Sequence, residues 1–464
     1  MSLPSLQPQS VRARCEPRGR FAFGLTPRAI LLLAAGLLLA LPGFFHDSWS
    51  YGVPVWELLI CVAILLDGLR LPAAGLIEVE RRWSNAPSLS CECVVTLTVT
   101  QRGGIILECR IIDDLPPALV ALPETHTLRV IPHVAATLRY PFFPRERGDT
   151  QVNGLYLRYR SPLGLLERWA LAPLEQRVRV YPALRRGEDQ RLFLARARQL
   201  ELQLRPLRQR GLGRDFESLR EYRQGDDLRD ICWTATARRG QWITRQFQTE
   251  RSQAVWIVVD TGRLLQARVV AGDGQSNQSK LDYACSTAVA LAQLALFSGD
   301  RVGLLAYGQN VQQRLLPARG AAHMRQLVEA LAQVRAENAE ADHLRATAAL
   351  NRLQPRRSLI LWISDLAESV MRPEVIDGAQ QLLRRHLLLF VAMGQPEVEA
   401  IAKARPEDAA QMFRASAAQE LTGRRAALLA RLREQGAMTL DLDPESLTSS
   451  LLNQYLKIKE RAML

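Results

Sequence analysis

AVWIVVD, residues 254–260, and RSLILWISD, residues 357–365, are the two stretches that decide the fold. Each is a short, continuous apolar run closed by an aspartate, Asp260 in the first and Asp365 in the second. A strand covered on both faces has no solvent side, so it reads as unbroken apolar sequence rather than as alternation. Related runs stand at RVGLLAY (301–307), VQQRLL (311–316), HLLLFVAM (386–393) and AMTLDLD (437–443). Helical stretches separate them, near 281–297, 323–335, 341–353, 373–385, 407–434 and 445–461. The alternation predicts an α/β domain over residues 254–464, doubly wound around a mostly parallel sheet.

Towards the N-terminus the period changes to two. In CVVTLTVT (93–100), Cys93, Val95, Leu97 and Val99 fall on one face, with Thr96, Thr98 and Thr100 on the other. Similar short runs follow at GIILECRII, HTLRVIP, AATLRYPFF, GLYLRYR and RVRVYP, separated by proline, glycine and aspartate. Strands at this spacing without helical sequence predict a small β-sandwich over residues 73–182. Residues 183–253 then read as a linker and a distinctive segment, with the Arg- and Leu-rich part at 184–210 helical or extended.

Residues 1–28 form a basic tail with Arg12, Arg14, Arg18, Arg20 and Arg28, and residues 29–72 hold two apolar stretches. The first, Ala29–Phe45, carries no charge; the second, from Val53 to about Leu69, is interrupted by Glu57 and Asp67. A helix needs ~20 residues to cross the hydrocarbon of a bilayer, so both stretches are long enough. The connector HDSWSYG (46–52) has no Lys or Arg, whereas Arg70, Arg81, Arg82 and the tail arginines flank the pair. This asymmetry predicts a transmembrane hairpin with both termini cytoplasmic. A cleaved signal peptide and a buried soluble hairpin are the competing readings.

The formal net charge is +13, and 56 of the 60 basic residues are arginine; the lysines are Lys280, Lys403, Lys457 and Lys459. An arginine-driven binder of nucleic acid or anionic lipid is therefore one alternative. The arginines are spread along the chain beside acids, however, which favours an ion-paired, solvated surface and makes nucleic acid an unexpected partner. The cysteines (Cys15, Cys61, Cys91, Cys93, Cys109, Cys232 and Cys285) have neither zinc-ribbon nor CxxC spacing and read as reduced thiols. There is no GxGxxG, no GxxxxGK[ST], no paired metal-binding histidines and no G-x-S-x-G elbow. No catalytic residue and no nucleotide cofactor are expected.

Two constellations could carry function. Asp260 and Asp365 end strands of a doubly wound sheet, where ligands bind at the carboxyl edge near the reversal of strand order. If the strands are neighbours, the carboxylates converge on a crevice that suits a hard cation such as Mg²⁺, or they cap helices and pair with cations. The second constellation is Gly213–Trp242, GRDFESLREYRQGDDLRDICWTATARRGQW. Gly225, Asp226 and Asp227 mark a turn, Arg220, Arg223 and Arg229 can pair with the acids, and Tyr222 and Trp233 offer apolar bodies to pin the segment to the sheet. It reads as an ion-pair network at a domain junction or as a docking surface, not as a catalytic site.

FESLREYRQGDDLRDICWTATARRGQWITRQFQTER resembles the signature of the family known as domain of unknown function 58. Phe216, Leu219, Arg220, Tyr222, Gly225, Asp226, Arg229, Ile231, Trp233, Ala237 and Arg238 carry the match, and SPLGLLERW (161–169) and QYLKIKERAML (454–464) also look like family elements. The resemblance implies a membrane hairpin, a β-rich domain and a C-terminal domain similar to von Willebrand factor type A. It further implies a MoxR-type AAA+ ATPase partner. Type A domains bind a divalent ion through D-x-S-x-S, a later threonine and a further aspartate. Asp260 resembles the first of these and Asp365 the last, but Gly262 and Leu264 stand in place of the serines, and Asp342 and Thr347 are the candidates for the threonine loop. The expected function is a non-enzymatic, membrane-anchored interaction scaffold or adaptor in protein complex assembly or maturation. The alternative is a metal-dependent hydrolase built on Asp260 and Asp365.

Overall fold

A computed structural model of the chain describes residues 10–19, 22–38, 52–120, 122–183, 195, 215–223, 228–248, 253–270, 277–365 and 374–461. Two compact units divide it, residues 1–183 and 184–464.

The first unit opens with strands β1 (Ser10–Arg14), β2 (Glu16–Pro17) and β3 (Phe23–Leu25), then helices α1 (Pro27–Leu38) and α2 (Gly52–Arg70). Nine strands follow: β4 (Ile77–Trp83), β5 (Cys93–Gln101), β6 (Leu107–Asp113), β7 (Thr125–Val130), β8 (Ala136–Phe142), β9 (Gly148–Val152), β10 (Leu155–Arg160), β11 (Leu166–Ala172) and β12 (Gln176–Val180). One sheet runs β1-β4-β5-β8 and another β2-β11-β10-β6-β7, with β3 also on β11 and β9 paired to β12. Val79, Val95 and Leu97 from the first sheet share one core with Leu107, Ile111 and Leu157 from the second. The predicted alternation holds in β5, where Cys93, Val95, Leu97 and Val99 are all buried. Burial alone pushes the Cys15 and Cys93 thiols up to about 12, and it is the main cause of the same rise at Cys109.

The expected tail over residues 1–28 needs correction. β1 pairs antiparallel with β4, Val11 opposite Arg81, and Cys15 is buried in the core. Val11, Ala13 and Cys15 form the inward face of a period-two run whose other positions are arginine. The small apolar residues between the arginines place the segment in the sheet.

Helices α1 and α2 pack together. Trp56 Nε1 donates to the carbonyl of Leu32 at 2.9 Å, and a Cβ on Gly36 would fall 2.5 Å from Trp56 Cδ1. By length and composition α2 can cross a membrane, while the described part of α1 is shorter. One loop of the sandwich holds both. Thr26, just before α1, donates its hydroxyl to the carbonyl of Gly164 at 2.5 Å. Near the end of α2, the buried carboxylate of Asp67 accepts from Ser161 Oγ at 2.5 Å and from the amides of Leu165 and Leu166 at 3.1 and 3.2 Å. Asp67 thus interrupts an apolar stretch because it is the plug, and SPLGLLERW is its socket.

Arg81 is also not a membrane-flanking charge. It is fully buried, with Nη1 donating to Leu174 O at 2.9 Å, Nη2 to Asn153 O at 3.0 Å and the guanidinium paired with Asp113. Tyr140 donates its hydroxyl to the same carboxylate at 2.5 Å. Removing one member leaves a buried charge without compensation, which costs ~3–5 kcal/mol. Asp113→Ala is therefore expected to lower the unfolding free energy of the full chain by that amount. Asp149→Ala, which breaks a half-exposed pair with Arg179, is expected to cost under about 1 kcal/mol. Urea denaturation of both variants checks the contrast.

The second unit begins with the antiparallel pair β13 (Asp215–Glu221) and β14 (Ile243–Gln248), between which lies the short helix α3 (Trp233–Arg239). Strand β15 (Ala254–Asp260) follows, then the small hairpin β16 (Arg268–Val270) and β17 (Asn277–Ser279), and helix α4 (Lys280–Phe297). Next come β18 (Arg301–Tyr307), β19 (Val311–Ala318), α5 (Gly320–Gln333), α6 (His343–Leu353) and β20 (Leu359–Ser364). The chain closes with α7 (Glu374–Leu383), β21 (Leu387–Met393), α8 (Pro396–Lys403), α9 (Ala409–Glu434), β22 (Met438–Leu442) and α10 (Leu447–Glu460).

The large sheet has the order β19-β18-β15-β20-β21-β22, and β19 pairs antiparallel while the other neighbours are parallel. This is the doubly wound α/β architecture predicted. Every residue of β15 and β20 is buried, as their unbroken apolar sequences require. Gly303 on β18 makes room for Trp256: a Cβ there would lie 2.9 Å from the indole. At the C-terminus, Lys459 Nζ reaches Asp300 Oδ2 at 3.0 Å and Ser298 O at 2.6 Å, and Tyr455 donates to the same carboxylate. The family-like closing segment is thus a clamp on the residue before β18. The linker expected at 184–210 lies outside the described residues apart from Ala195.

Candidate functional site

Strand order reverses between β15 and β20, so Asp260 and Asp365 stand at the carboxyl edge of adjacent strands, the crevice foreseen from sequence. Their oxygens are engaged there. Asp260 Oδ1 accepts the amide of Gly262 at 2.7 Å, an Asx turn, and Oδ2 accepts the hydroxyl of Ser364 at 2.6 Å. Asp365 Oδ2 lies 2.5 Å from the ammonium of Lys280, both side chains being buried, and its Oδ1 is 3.7 Å from Arg425 Nη1. Arg425 continues across the edge, donating to Met393 O at 2.7 Å and pairing with Asp441.

The other expected contributors serve structure. Asp342 caps α6, accepting the amide of Arg345 at 2.8 Å, and buried Thr347 donates to His343 O at 2.9 Å inside the same helix. A Cβ on Gly262 would meet Ala341 N at 3.0 Å, so close approach of that loop, not chance, removes a hydroxyl from this position. The residues present do not fit a divalent ion. Asp260 is committed to Gly262 and Ser364, Asp365 already holds a cation, and no cluster of three His, Cys, Asp or Glu side chains suits a metal among the described residues.

Lys280, Ser364 and Arg425 were not singled out from sequence. A signal existed for the first: Ser279 and Asp282 form a capping box, which puts Lys280 at the first helical position of α4. Under the crevice, Trp362 Nε1 donates to Tyr307 Oη at 2.6 Å, and that hydroxyl lies 2.8 Å from His343 Nδ1. Burial pushes the His343 imidazole down to about 4, which favours the neutral ring at pH 7.

The second constellation folds as its own small module. β13 and β14 pair, Tyr222 N donates to Trp242 O at 2.8 Å, and the two rings meet edge to face at 5.4 Å. Ile231, Cys232 and Ile243 are buried. Trp233 does not pin the segment to a sheet: it is 66% exposed, and Leu219, Leu228 and Trp242 are exposed as well. Arg220 is half-buried and donates to Glu221 O at 3.1 Å, whereas Arg229 is exposed. Gly225, Asp226 and Asp227, the acids and turn of the expected ion-pair network, lie outside the described residues.

Burial, aided by Asp365 and Glu337, raises the Asp260 carboxyl from 3.8 to about 6, against the opposing hydrogen bonds from Ser364 and Gly262. Between pH 4 and 6 the folded state therefore keeps a proton that the unfolded state has lost, and this group's contribution to stability falls as pH rises through that window. Asp260→Asn removes the dependence. Relative to wild type, the variant is expected to gain at most about 1.4 kcal/mol per pH unit between pH 4 and 6 and nothing further above it. Urea unfolding across pH 4–7 checks the difference.

The family model described as "Protein of unknown function DUF58" matches residues 218–408. The uncharacterized protein Rv1480 of Mycobacterium tuberculosis is 28% identical over 190 residues, covering 40% of this chain and 56% of the relative. The uncharacterized protein YeaD of Bacillus subtilis is 26% identical over 181 residues, covering 36% and 43%. The chain thus spans about half the length of the curated relatives it matches. Among solved structures, the conserved hypothetical protein BatB from Bacteroides thetaiotaomicron aligns with a TM-score of 0.30 and 13% identity, covering 46% of this chain and all of that one. The von Willebrand factor type A structure from Catenulispora acidiphila aligns at 0.27 and 14%, covering 46% and 43%. Residues 218–408, from the signature hairpin through both crevice strands, are where this chain matches the DUF58 family that its residues Phe216–Arg238 resemble.

Proposed function

We propose that this protein is a non-enzymatic interaction scaffold, anchored in the bacterial inner membrane and working with a MoxR-type AAA+ ATPase in the assembly or maturation of protein complexes. The observation that carries the reading is the exposure of four apolar side chains in the signature module, Leu219, Leu228, Trp233 and Trp242. An exposed tryptophan leaves a large apolar ring in water, and tryptophan is among the residues enriched in binding hot spots. The engagement of Asp260 and Asp365 with Ser364 and Lys280 supports a non-catalytic role, since neither carboxylate is free to act as a base. The ATPase as partner rests on the family resemblance alone.

Anchoring through two spans, with both termini cytoplasmic, is supported by α2 and by the shared socket. The start of α1 and the end of α2 meet the same loop through Thr26 and Asp67, with Arg28 and Arg70 at those helix ends. Reporter fusions after Ser50 and at the C-terminus are expected to fall on opposite sides of the membrane; a C-terminus outside the cytoplasm overturns the topology. For the interaction, the full chain is purified from native membranes as bait. Wild type is expected to bring down a MoxR-type ATPase. Trp233→Ala combined with Leu228→Ala should melt like wild type yet lose the ATPase by roughly tenfold or more. A wild-type bait that recovers no such ATPase rejects the partner.

A further inference from the structure

We infer that the buried ammonium of Lys280 is the resident cation of the switch-point crevice, taking the chemical place of a divalent ion, so that the crevice keeps its form without metal. The inference rests on the folded crevice and is independent of the interaction reading.

Placement is the first argument. Lys280 Nζ sits 2.5 Å from Asp365 Oδ2, with side-chain exposures of 2% and 0%, which is a locked pair and not a passing surface contact. Lys280 occupies the first position of α4, where the helix dipole disfavours a cation. A lysine there gains nothing from its own helix, and the gain has to come from Asp365. Residue type is the second. Arginine supplies 56 of the 60 basic residues of this chain, yet the crevice holds one of its four lysines. An ammonium is a compact point charge, closer to a bare ion than a planar guanidinium is.

The donors supply the third argument. An added dication would have to displace the amide of Gly262 and the hydroxyl of Ser364 from Asp260, and approach Asp365 past two cations, Lys280 and Arg425. Removing the lysine charge reverses that balance. Asp260, Ser364 and Asp365 then form an oxygen-rich crevice with a surplus of negative charge, which a hard dication can neutralise.

The test is thermal melting of the full chain in detergent, in EDTA or in millimolar MnCl2. Wild type is expected to melt at the same temperature in both and to retain no Mn²⁺ after desalting. Lys280→Ala is expected to melt several degrees lower in EDTA and to recover part of that loss with Mn²⁺. Adding Asp365→Asn to it should abolish the response. Wild type stabilised by Mn²⁺, with the gain lost in Asp365→Asn, overturns the inference. So does a Lys280→Ala protein that melts low and ignores Mn²⁺. Should the alanine variant fail to fold, Lys280→Gln is judged by the same two criteria.

Discussion

The pair between Lys280 and Asp365 is the contact on which the carboxyl edge of the α/β unit depends. Without it, the end of β20 would carry a buried carboxylate and the start of α4 a buried ammonium, each several kcal/mol out of balance. With it, neighbouring elements have a fixed reference. Arg425 approaches the other oxygen of Asp365 from α9, donates to the last residue of β21 and pairs with Asp441 on β22. Asp260 is pinned to Ser364, the residue before Asp365, so β15 is tied to the same point. Four parallel strands therefore end in one connected set of polar contacts. The apolar strands decide that a sheet forms; these contacts decide how its ends are closed.

The same device recurs at other seams. Asp300, just before β18, receives Tyr455 and Lys459 and so secures the last helix. In the first unit, Arg81 crosses the sandwich core to Asp113, with Tyr140 on the same carboxylate. Asp67 at the end of α2 takes two backbone amides and the Ser161 hydroxyl. Each buried acid meets several donors, which is the condition for a buried charge to hold a structure together rather than weaken it. Exposed pairs such as Arg424 with Glu420 are of another kind, and they account for part of the arginine excess as a solvated surface.

What the sequence disclosed follows from this division. Strands β15, β18, β20 and β21 were legible to within a residue or two because continuous burial leaves a continuous apolar run. The alternation in β5 was equally plain. Helix α8 went unforeseen: Pro396 opens it, but eight residues with Glu397, Glu399 and Lys403 make a weak periodic signal. β1 was hidden by its arginines. The crevice lies where the two strand-ending aspartates put it, and pairing with a cation was one of the readings they allowed; the partner itself was not legible, because the cation at Asp365 comes from a residue 85 positions earlier. Buried ion pairs obey no local period, so residues such as Lys280, Arg425 and Arg81 look in sequence like any surface charge.

That limit bears on how the two candidate surfaces divide the work. In a doubly wound sheet the switch point is where a ligand would be expected, and here it is filled from within by the chain's own side chains. A partner approaching that edge meets carboxylates that already have donors, so it gains little from supplying more. The signature module presents the opposite situation. Trp233 and Trp242 lie 66% and 53% exposed, and covering them releases apolar surface from water without breaking the contacts of Asp260 and Asp365. Free energy for association is therefore available at the aromatic module and largely spent at the crevice. A closed crevice and an open aromatic surface within one matched segment make recognition through side-chain burial the cheaper route than recognition through coordination.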